Sequence, residues 1–541
     1  MKGTRLGVVT SGAYNTGLTV RLDPDVSTEN LRIGDFVVVE GEQNLYFSLV
    51  EDMELATSDP RLLVDPPRDA SSLVRRALAG TNAYGTVVVR PLLMMEKVDY
   101  ESLTLQQEET RPQPVRTIPM HFAILREANE VDFATVFGNE SQRNYFAMGT
   151  PLTMDIPICL RLDRFAERSS GIFGQSGTGK SFLARLLLCG IIQSGVAVNL
   201  IFDMHDEYAF DKQTEDKRWV KGLRQLFGSR VRVYSLDERD QAQRGRNVDV
   251  VLKIGLNQIE AQDVVLLAEE LNLRQTTEAT IGLLSDQYKE SWLQRLLSME
   301  PVELEEFCAT SGAHPGSVAA LQRNLKRIGR QPYIVPEAPF SVIDDMVNTL
   351  DTGQHIILTF GRHNSVLDYI LVANLITRRV RKLYEEKMRR FEETRDEADR
   401  PRQLMITIEE AHKFLNPAVS RQTIFGTIAR EMRKYNVTLL VIDQRPSGID
   451  TEVMSQLGTR VSGKLTEQRD IDAVLTGVAS RETVRSALAS LDTRQEVVMI
   501  GHAVPMPVVV RTRNYDENFY ATLTARRDVK EDVMDLYGPQ K

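Results

Sequence analysis

The sequence predicts an α/β fold: a mostly parallel sheet with helices on both faces, a small β-barrel ahead of it and a helical insertion within it. Three observations predict this. Between residues 166 and 515, apolar runs of strand length alternate with helix-period segments, the pattern of parallel strands joined by helical crossovers. A glycine-rich stretch, Gly174-Gln175-Ser176-Gly177-Thr178-Gly179-Lys180-Ser181, stands between one apolar run and one helix-like run. Ahead of both, short alternating runs separated by turn residues fill residues 1–110.

In chain order, the runs at 6–9, 18–22, 36–39, 46–50 and 86–89 read as strands, with turn signals at Asp23-Pro24-Asp25, Ile33-Gly34-Asp35 and Gly41. A small barrel (1–110) closes its own edges. No cluster of aromatic or convergent polar residues marks a ligand site, so docking is its expected use. Residues 111–165, with Pro112, Pro114, Pro119, Pro151 and Pro157, read as a connector.

The α/β core is expected in two parts, 166–257 and 346–515, separated by a helical insertion at 258–345 where Val264, Leu267, Ala268 and Leu271 keep helical spacing. Core strands are expected at 196–202, 231–234, 355–360, 404–408, 437–442, 461–465, 497–500 and 508–510, with a polar tail at 516–541. A long helix from about Val366 past Met388 becomes highly charged and leads into a mixed-charge loop at 392–402. Such charge is a solvated face or, as the sharper alternative, a nucleic-acid contact. In a sheet of this kind the active site belongs at the carboxyl ends of the strands.

A chain of 541 residues exceeds one ordinary core, so two or three domains are expected. Hydrophobic and charged shares of 42% and 26% are those of a soluble globular protein. The net charge of -9 lacks the basic signature of a nucleic-acid-binding domain, so such a site must be a local basic surface or a channel assembled by an oligomer. Cys159, Cys189 and Cys308 lie far apart without metal-ligand spacing and read as small core residues in a reducing compartment, hence a cytoplasmic protein. Ser11, Gly12 and Asn15 break the first apolar run, so no signal peptide is expected. The run at 182–202 carries Arg185 and Gln193 and breaks at Ser194-Gly195, which makes it a helix followed by a strand rather than a membrane span.

Residues 174–181 have the spacing of a P-loop. Successive backbone N–H groups form an anion nest, the following helix N-terminus adds partial positive charge, and glycines allow the close approach. Lys180 is expected to reach the β- and γ-phosphates of ATP and the Ser181 hydroxyl to join a Mg²⁺ shell. A glycine turn capping a helix is the competing account.

The second decisive stretch is an apolar strand running into two acids, Leu404-Met405-Ile406-Thr407-Ile408-Glu409-Glu410-Ala411-His412. Glu409 reads as the metal-side acid and Glu410 as the base that deprotonates the attacking water; two acids capping a helix is the alternative. Gln444, at the tip of the next strand, can hydrogen-bond the γ-phosphate or the water. Arg430-Glu431-Met432-Arg433-Lys434-Tyr435 lies between these two strands, and its arginines are either a solvated face or fingers that reach a neighbouring subunit's nucleotide.

Taken in order, the P-loop, Glu-Glu-Ala-His, Arg-Lys-Tyr and Gln-Arg-Pro-Ser resemble the HerA family of hexameric DNA translocases, relatives of FtsK. Phe202-Asp203-Met204-His205-Asp206-Glu207-Tyr208 looks like that family's Asp-x-His-Gly-Glu-Tyr segment, and the N-terminal region resembles its HerA/ATP-synthase-type barrel. The resemblance covers most of the chain and implies a RecA-like P-loop ATPase core. It assigns Lys180 and Ser181 to phosphate and Mg²⁺, Glu410 to catalysis, Gln444 to γ-phosphate sensing, Arg433 to a trans finger and Arg168 to a supporting arginine. It departs from the family at Glu409, where Asp is usual, and at Asp206, where Gly is usual; His205 reads as a structural histidine. The resemblance further implies a homo-hexamer moving double-stranded DNA, with a NurA-type nuclease or another effector as partner in end processing or anti-phage defence. The alternative is a nucleotide-gated ring that activates an effector without processive movement. No membrane partner is expected, and no Leu-Ser-Gly-Gly-Gln transporter signature occurs.

Overall fold

The structure is a computed structural model that describes residues 3–64, 78, 82–97, 111–214, 217–239, 248–273, 277–338, 342–363, 365–418, 420, 423–478, 481–492 and 495–524. The end of the expected tail, 525–541, lies outside the described residues. The chain divides into two compact units: 1–162 with 174–179 and 459–513, and 163–173 with 180–458 and 514–541.

In the first unit, strands β1 (Arg5–Ala13), β2 (Gly17–Leu22), β3 (Phe36–Glu40), β4 (Asn44–Thr57), β5 (Ala83–Glu96), β6 (Gln113–Pro114) and β7 (Ile124–Glu127) pair in the order β2-β1-β7-β3-β4-β5-β6. A further pairing of β2 with β5 closes six of them into a barrel. Alternation drives the closure: Leu18, Val20, Val37, Val39, Val87 and Val89 are buried in one cluster, with Thr19, Val38 and Val88 between them on the opposite face. Residues 124–127, within the stretch expected as a connector, are the strand between β1 and β3 that completes the cylinder. The neighbouring prolines fall outside β7, and Pro114 sits in the two-residue β6 at the sheet's margin, where a missing N–H costs least. Behind β7, Asn129 and Asp132 form a capping box for the helix Glu130–Phe137, whose Phe133 ring meets Phe36 at 4.8 Å. Strands β8 (Tyr145–Thr150) and β9 (Ile158–Arg161) belong to the same unit.

The second unit opens with β10 (Ser170–Phe173) and β11 (Val198–Asp203), continues through a small hairpin, β12 (Lys212–Gln213) and β13 (Trp219–Val220), and reaches β14 (Val231–Ser235), β15 (Val250–Val251) and β16 (Ile254–Gly255). Among the described residues, five α-helices, from Ala261–Val265 to Pro315–Gly329, follow before β17 (Ile334–Val335), which returns to pair with β16. Trp292 is their buried anchor, its Nε1 donating to the Ile259 carbonyl at 3.0 Å. The core resumes with β18 (His355–Thr359), β19 (Leu404–Glu409) and β20 (Val437–Asp443). All seven main strands run parallel in the order β15-β14-β18-β11-β19-β20-β10. Their near-continuous apolar character follows from burial on both faces. The Ser365-capped helix Val366–Thr394 is the longest among the described residues. The apolar run from residue 182 resolves into the helix Lys180–Ser194 and β11, and no helix among the described residues is long and apolar enough to cross a membrane.

Strands β21 (Thr459–Ser462), β22 (Glu496–Gly501) and β23 (Val508–Thr512) return to the first unit and pair antiparallel with one another, β23 also pairing with β8. Cys159, Cys189 and Cys308 are free and buried.

Candidate active site

The register of the parallel sheet sets three strand ends level: Phe173 is opposite Asp443, and Ile442 is opposite Glu409. Phe173 leads directly into the glycine-rich loop, Glu409 into Glu410, and Asp443 into Gln444. The carboxyl edge of a parallel sheet is where such a fold presents its chemistry.

Within the first unit, Gly174, Gly177 and Gly179 have φ of 152°, 79° and 84°, backbone that side-chain-bearing residues rarely adopt. A Cβ on Gly174 would stand 2.6 Å from Thr178 Oγ1. Thr178 closes the loop on itself by donating from Oγ1 to the Gln175 carbonyl at 2.7 Å. Gln175 is tied by its N–H to the Lys464 carbonyl at 3.2 Å and by its amide to Thr466. Ser176 is exposed and Ser181 half-buried.

In the second unit, Lys180 starts its helix half-buried. Burial lowers its pKa, opposed by the negative charges of Glu410, Asp443 and Glu409. The two acids differ sharply. Glu409 ends β19 and is 7% exposed; Tyr208 Oη donates to its Oε1 at 2.6 Å, and Tyr369 Oη holds its backbone on both sides, accepting from N–H at 3.2 Å and donating to C=O at 3.1 Å. Burial pushes the Glu409 carboxyl up to about 8, and its Oε2 is buried without a hydrogen-bond partner. At Glu410 the chain turns into the left-handed region, φ 49°, a conformation that non-glycine residues hold at a cost of about 1–3 kcal/mol. The turn frees the Glu410 side chain from strand alternation, and Gln444 Nε2 donates to its Oε1 at 3.2 Å.

His412 joins the same group. Its Nδ1 is 3.0 Å from Asp443 Oδ2, its N–H donates to that same oxygen at 2.8 Å, and its Nε2 is 3.8 Å from Glu410 Oε2. The hydrogen bond to Asp443 raises the imidazole pKa against the effect of burial. Asp443 is fully occupied by these contacts and by the Arg445 N–H at 2.7 Å.

Behind β11, the Asp203 carboxylate accepts from the N–H groups of Glu207, Tyr208 and Ala209 at 2.6, 2.9 and 3.0 Å. Asp206 adopts φ 54°, the left-handed geometry that suits glycine and that Asp tolerates better than most residues. His205, expected as a structural histidine, is exposed, and its carbonyl accepts from Lys212 at 3.4 Å.

Two arginines lie elsewhere. Arg433 sits on the segment Met432–Tyr435 that enters β20 from its amino end, and it pairs with Glu167. Seven strand residues at about 3.3 Å each separate it from the carboxyl edge, roughly 20 Å. Arg168, just ahead of β10, packs on Gly458, where an added Cβ would stand 2.7 Å from its side chain; its buried Nε has no hydrogen-bond partner.

Among families of known proteins, a model described as the central domain of the helicase HerA matches residues 146–380. A DNA double-strand break repair helicase HerA of Sulfolobus acidocaldarius is 23% identical over 516 residues, 94% of each chain. Residues 146–380 of this chain are thus similar to the HerA central domain. The matched segment carries the glycine-rich loop, and together with the curated relatives it supports ATP hydrolysis. The HerA of Pyrococcus furiosus is 22% identical over 407 residues, 71% of each chain. VirB4 of Thermoanaerobacter pseudethanolicus aligns with a TM-score of 0.44 and 15% identity over 69% of this chain and 98% of that one.

Sequence reasoning missed Tyr208, Tyr369 and Asp443 as parts of the site. Tyr208 and Tyr369 reach Glu409 from 201 and 40 residues away, and no local pattern announces such a pairing. Asp443 was discoverable: it is a charged residue ending an otherwise apolar strand, the same signal that drew attention to Glu409.

Proposed function

We propose that this chain is an ATP-driven motor acting on double-stranded DNA, assembled as a homo-hexameric ring. The observation that carries the reading is the pairing of Glu410 with Gln444 at adjacent strand ends, in a chain whose residues 146–380 match the HerA central domain. Gly174, Gln175, Ser176, Gly177, Thr178 and Gly179 would cradle the phosphates through main-chain N–H groups, and Lys180 would neutralise the β/γ region. Glu410 would take the proton of the attacking water, and Gln444 would orient that water or read the γ-phosphate.

The residues fit a Mg²⁺ ion. The orphan Glu409 Oε2 is a buried acceptor whose ionisation is penalised until a cation stands near, and Ser181 supplies a hydroxyl at the head of the helix. When bound, the ion would neutralise charge on the phosphate oxygens. Ser181 and Glu409 would hold it, Glu409 through a water.

Arg433 and Arg168 stand at the amino edge of the sheet, away from their own chain's Glu410. If they serve catalysis they do so on a neighbour's nucleotide, which is why the active form is a ring. The barrel is the surface proposed for a partner nuclease or other effector, in DNA end processing or defence. The test is ATP hydrolysis with and without duplex DNA over a dilution series. Stimulation by duplex and loss of specific activity on dilution are expected; a rate indifferent to both would overturn the reading.

A further inference from the structure

A cleft of about 280 Å³ lies between the long helix and the segments that carry Gln262 and Thr427, lined by Arg378, Arg381 and Lys382. Arg378 and Arg381 are already committed to Asp263, Glu260 and Glu385. The observations carry further at Tyr208.

We propose that Tyr208 is a positioning residue for Glu409, fixing which carboxyl oxygen faces the nucleotide's metal; this rests on the metal-side reading of Glu409. Tyr208 is fully buried, and its hydroxyl donates to Glu409 Oε1 at 2.6 Å. That contact occupies one oxygen and leaves Oε2 as the acceptor without a partner. The ring is enclosed by burial, and the backbone that carries it is held on three sides. Its N–H is bound by Asp203, its carbonyl accepts from Leu223 at 2.8 Å, and the preceding Glu207 carbonyl accepts from Arg185 Nε at 2.6 Å.

Arg185 lies on the helix that begins with Lys180 and is itself 2% exposed, beneath the Tyr515 ring at 5.6 Å. A continuous set of hydrogen bonds therefore runs from the helix behind Lys180, through the turn after β11, to the acid at the end of β19. Glu has one methylene more than Asp, and a longer carboxylate needs an outside contact to select one rotamer. Tyr208 supplies that contact.

Tyr208→Phe keeps the ring and removes only the donor. Binding of a fluorescent ATP analogue is measured by titration in EDTA and in Mg²⁺, for wild type, Tyr208→Phe, Glu409→Gln and the double variant. The expected result is unchanged affinity in EDTA, about tenfold weaker Mg²⁺ dependence in Tyr208→Phe, and a double variant no worse than Glu409→Gln alone. Equal weakening with and without metal would mean that Tyr208 only supports the fold, and the proposal fails. Full additivity in the double variant, or a Tyr208→Phe indistinguishable from wild type while Glu409→Gln loses its metal dependence, overturns Tyr208's role alone. If Glu409→Gln itself keeps the wild-type Mg²⁺ response, the metal-side reading falls and this proposal falls with it.

Discussion

Gln444 Nε2 donates to Glu410 Oε1 at 3.2 Å, joining the tip of β20 to the first residue beyond β19. The contact holds the proposed base beside the residue proposed to sense the γ-phosphate. Glu410→Gln should lower the hydrolysis rate by about 10²–10⁴-fold and leave ATP bound. Single-turnover hydrolysis alongside nucleotide binding checks this, and wild-type turnover in the variant would remove Glu410 from catalysis.

Arg433 is roughly 20 Å of strand away from its own chain's carboxyl edge. Arg433→Ala should therefore cost about 10³-fold or more in rate, while mixtures with Glu410→Gln subunits recover activity, because each defective subunit supplies what the other lacks at a shared site. Mixed-subunit hydrolysis measured against composition reads this directly. An absence of recovery at every ratio argues that Arg433 acts within its own chain or not at all.

His412 has a raised pKa, caused first by its hydrogen bond to Asp443, with Glu410 adding and Lys413 opposing. A histidine whose folded pKa is raised contributes stability fully below its unfolded value near 6.5 and loses it as pH rises through the folded value. The melting temperature of wild type should therefore exceed that of His412→Gln most at acidic pH, with the gap narrowing above about pH 6.5. A gap that widens with pH would show that Asp443 does not favour the charged imidazole.

In the barrel unit, Arg126 is almost wholly buried between Glu40 and Asp132, with Nη1 to Asp132 Oδ2 at 2.6 Å and Nε to Glu40 Oε1 at 2.6 Å. Asp132→Ala strands that guanidinium and also removes the reciprocal half of the Asn129 capping box. A loss of about 3–5 kcal/mol is expected, read by denaturant unfolding. A loss below 1 kcal/mol on that scale would mean that water or Glu40 alone satisfies Arg126.

The parallel core was legible because burial on both faces leaves near-continuous apolar runs such as 404–408 and 437–442, broken only by Thr407 and Thr438, and because two acids after the first run have no packing reason to be there. Strand β7 was not legible. Only four residues long, it is flanked by prolines that read locally as a linker, and its identity as a strand comes from long-range pairing with β1 and β3. The tyrosine clamp on Glu409 was hidden for the same reason: Tyr208 closes a segment picked out only by its resemblance, Tyr369 looks like an ordinary core aromatic, and neither points to Glu409 until the fold brings them to one carboxylate. The left-handed turn at Asp206 was the doubtful point in the sequence, and there the backbone adopts the conformation that a glycine would prefer.

The central claim is that hydrolysis at this site moves the protein along duplex DNA. Displacement of a third strand from a DNA triplex measures that movement without relying on any partner. The account predicts ATP-dependent displacement by the wild-type chain and none by Glu410→Gln. Full DNA-stimulated hydrolysis with no displacement would contradict it, and would leave a nucleotide-gated ring that switches an effector without travelling.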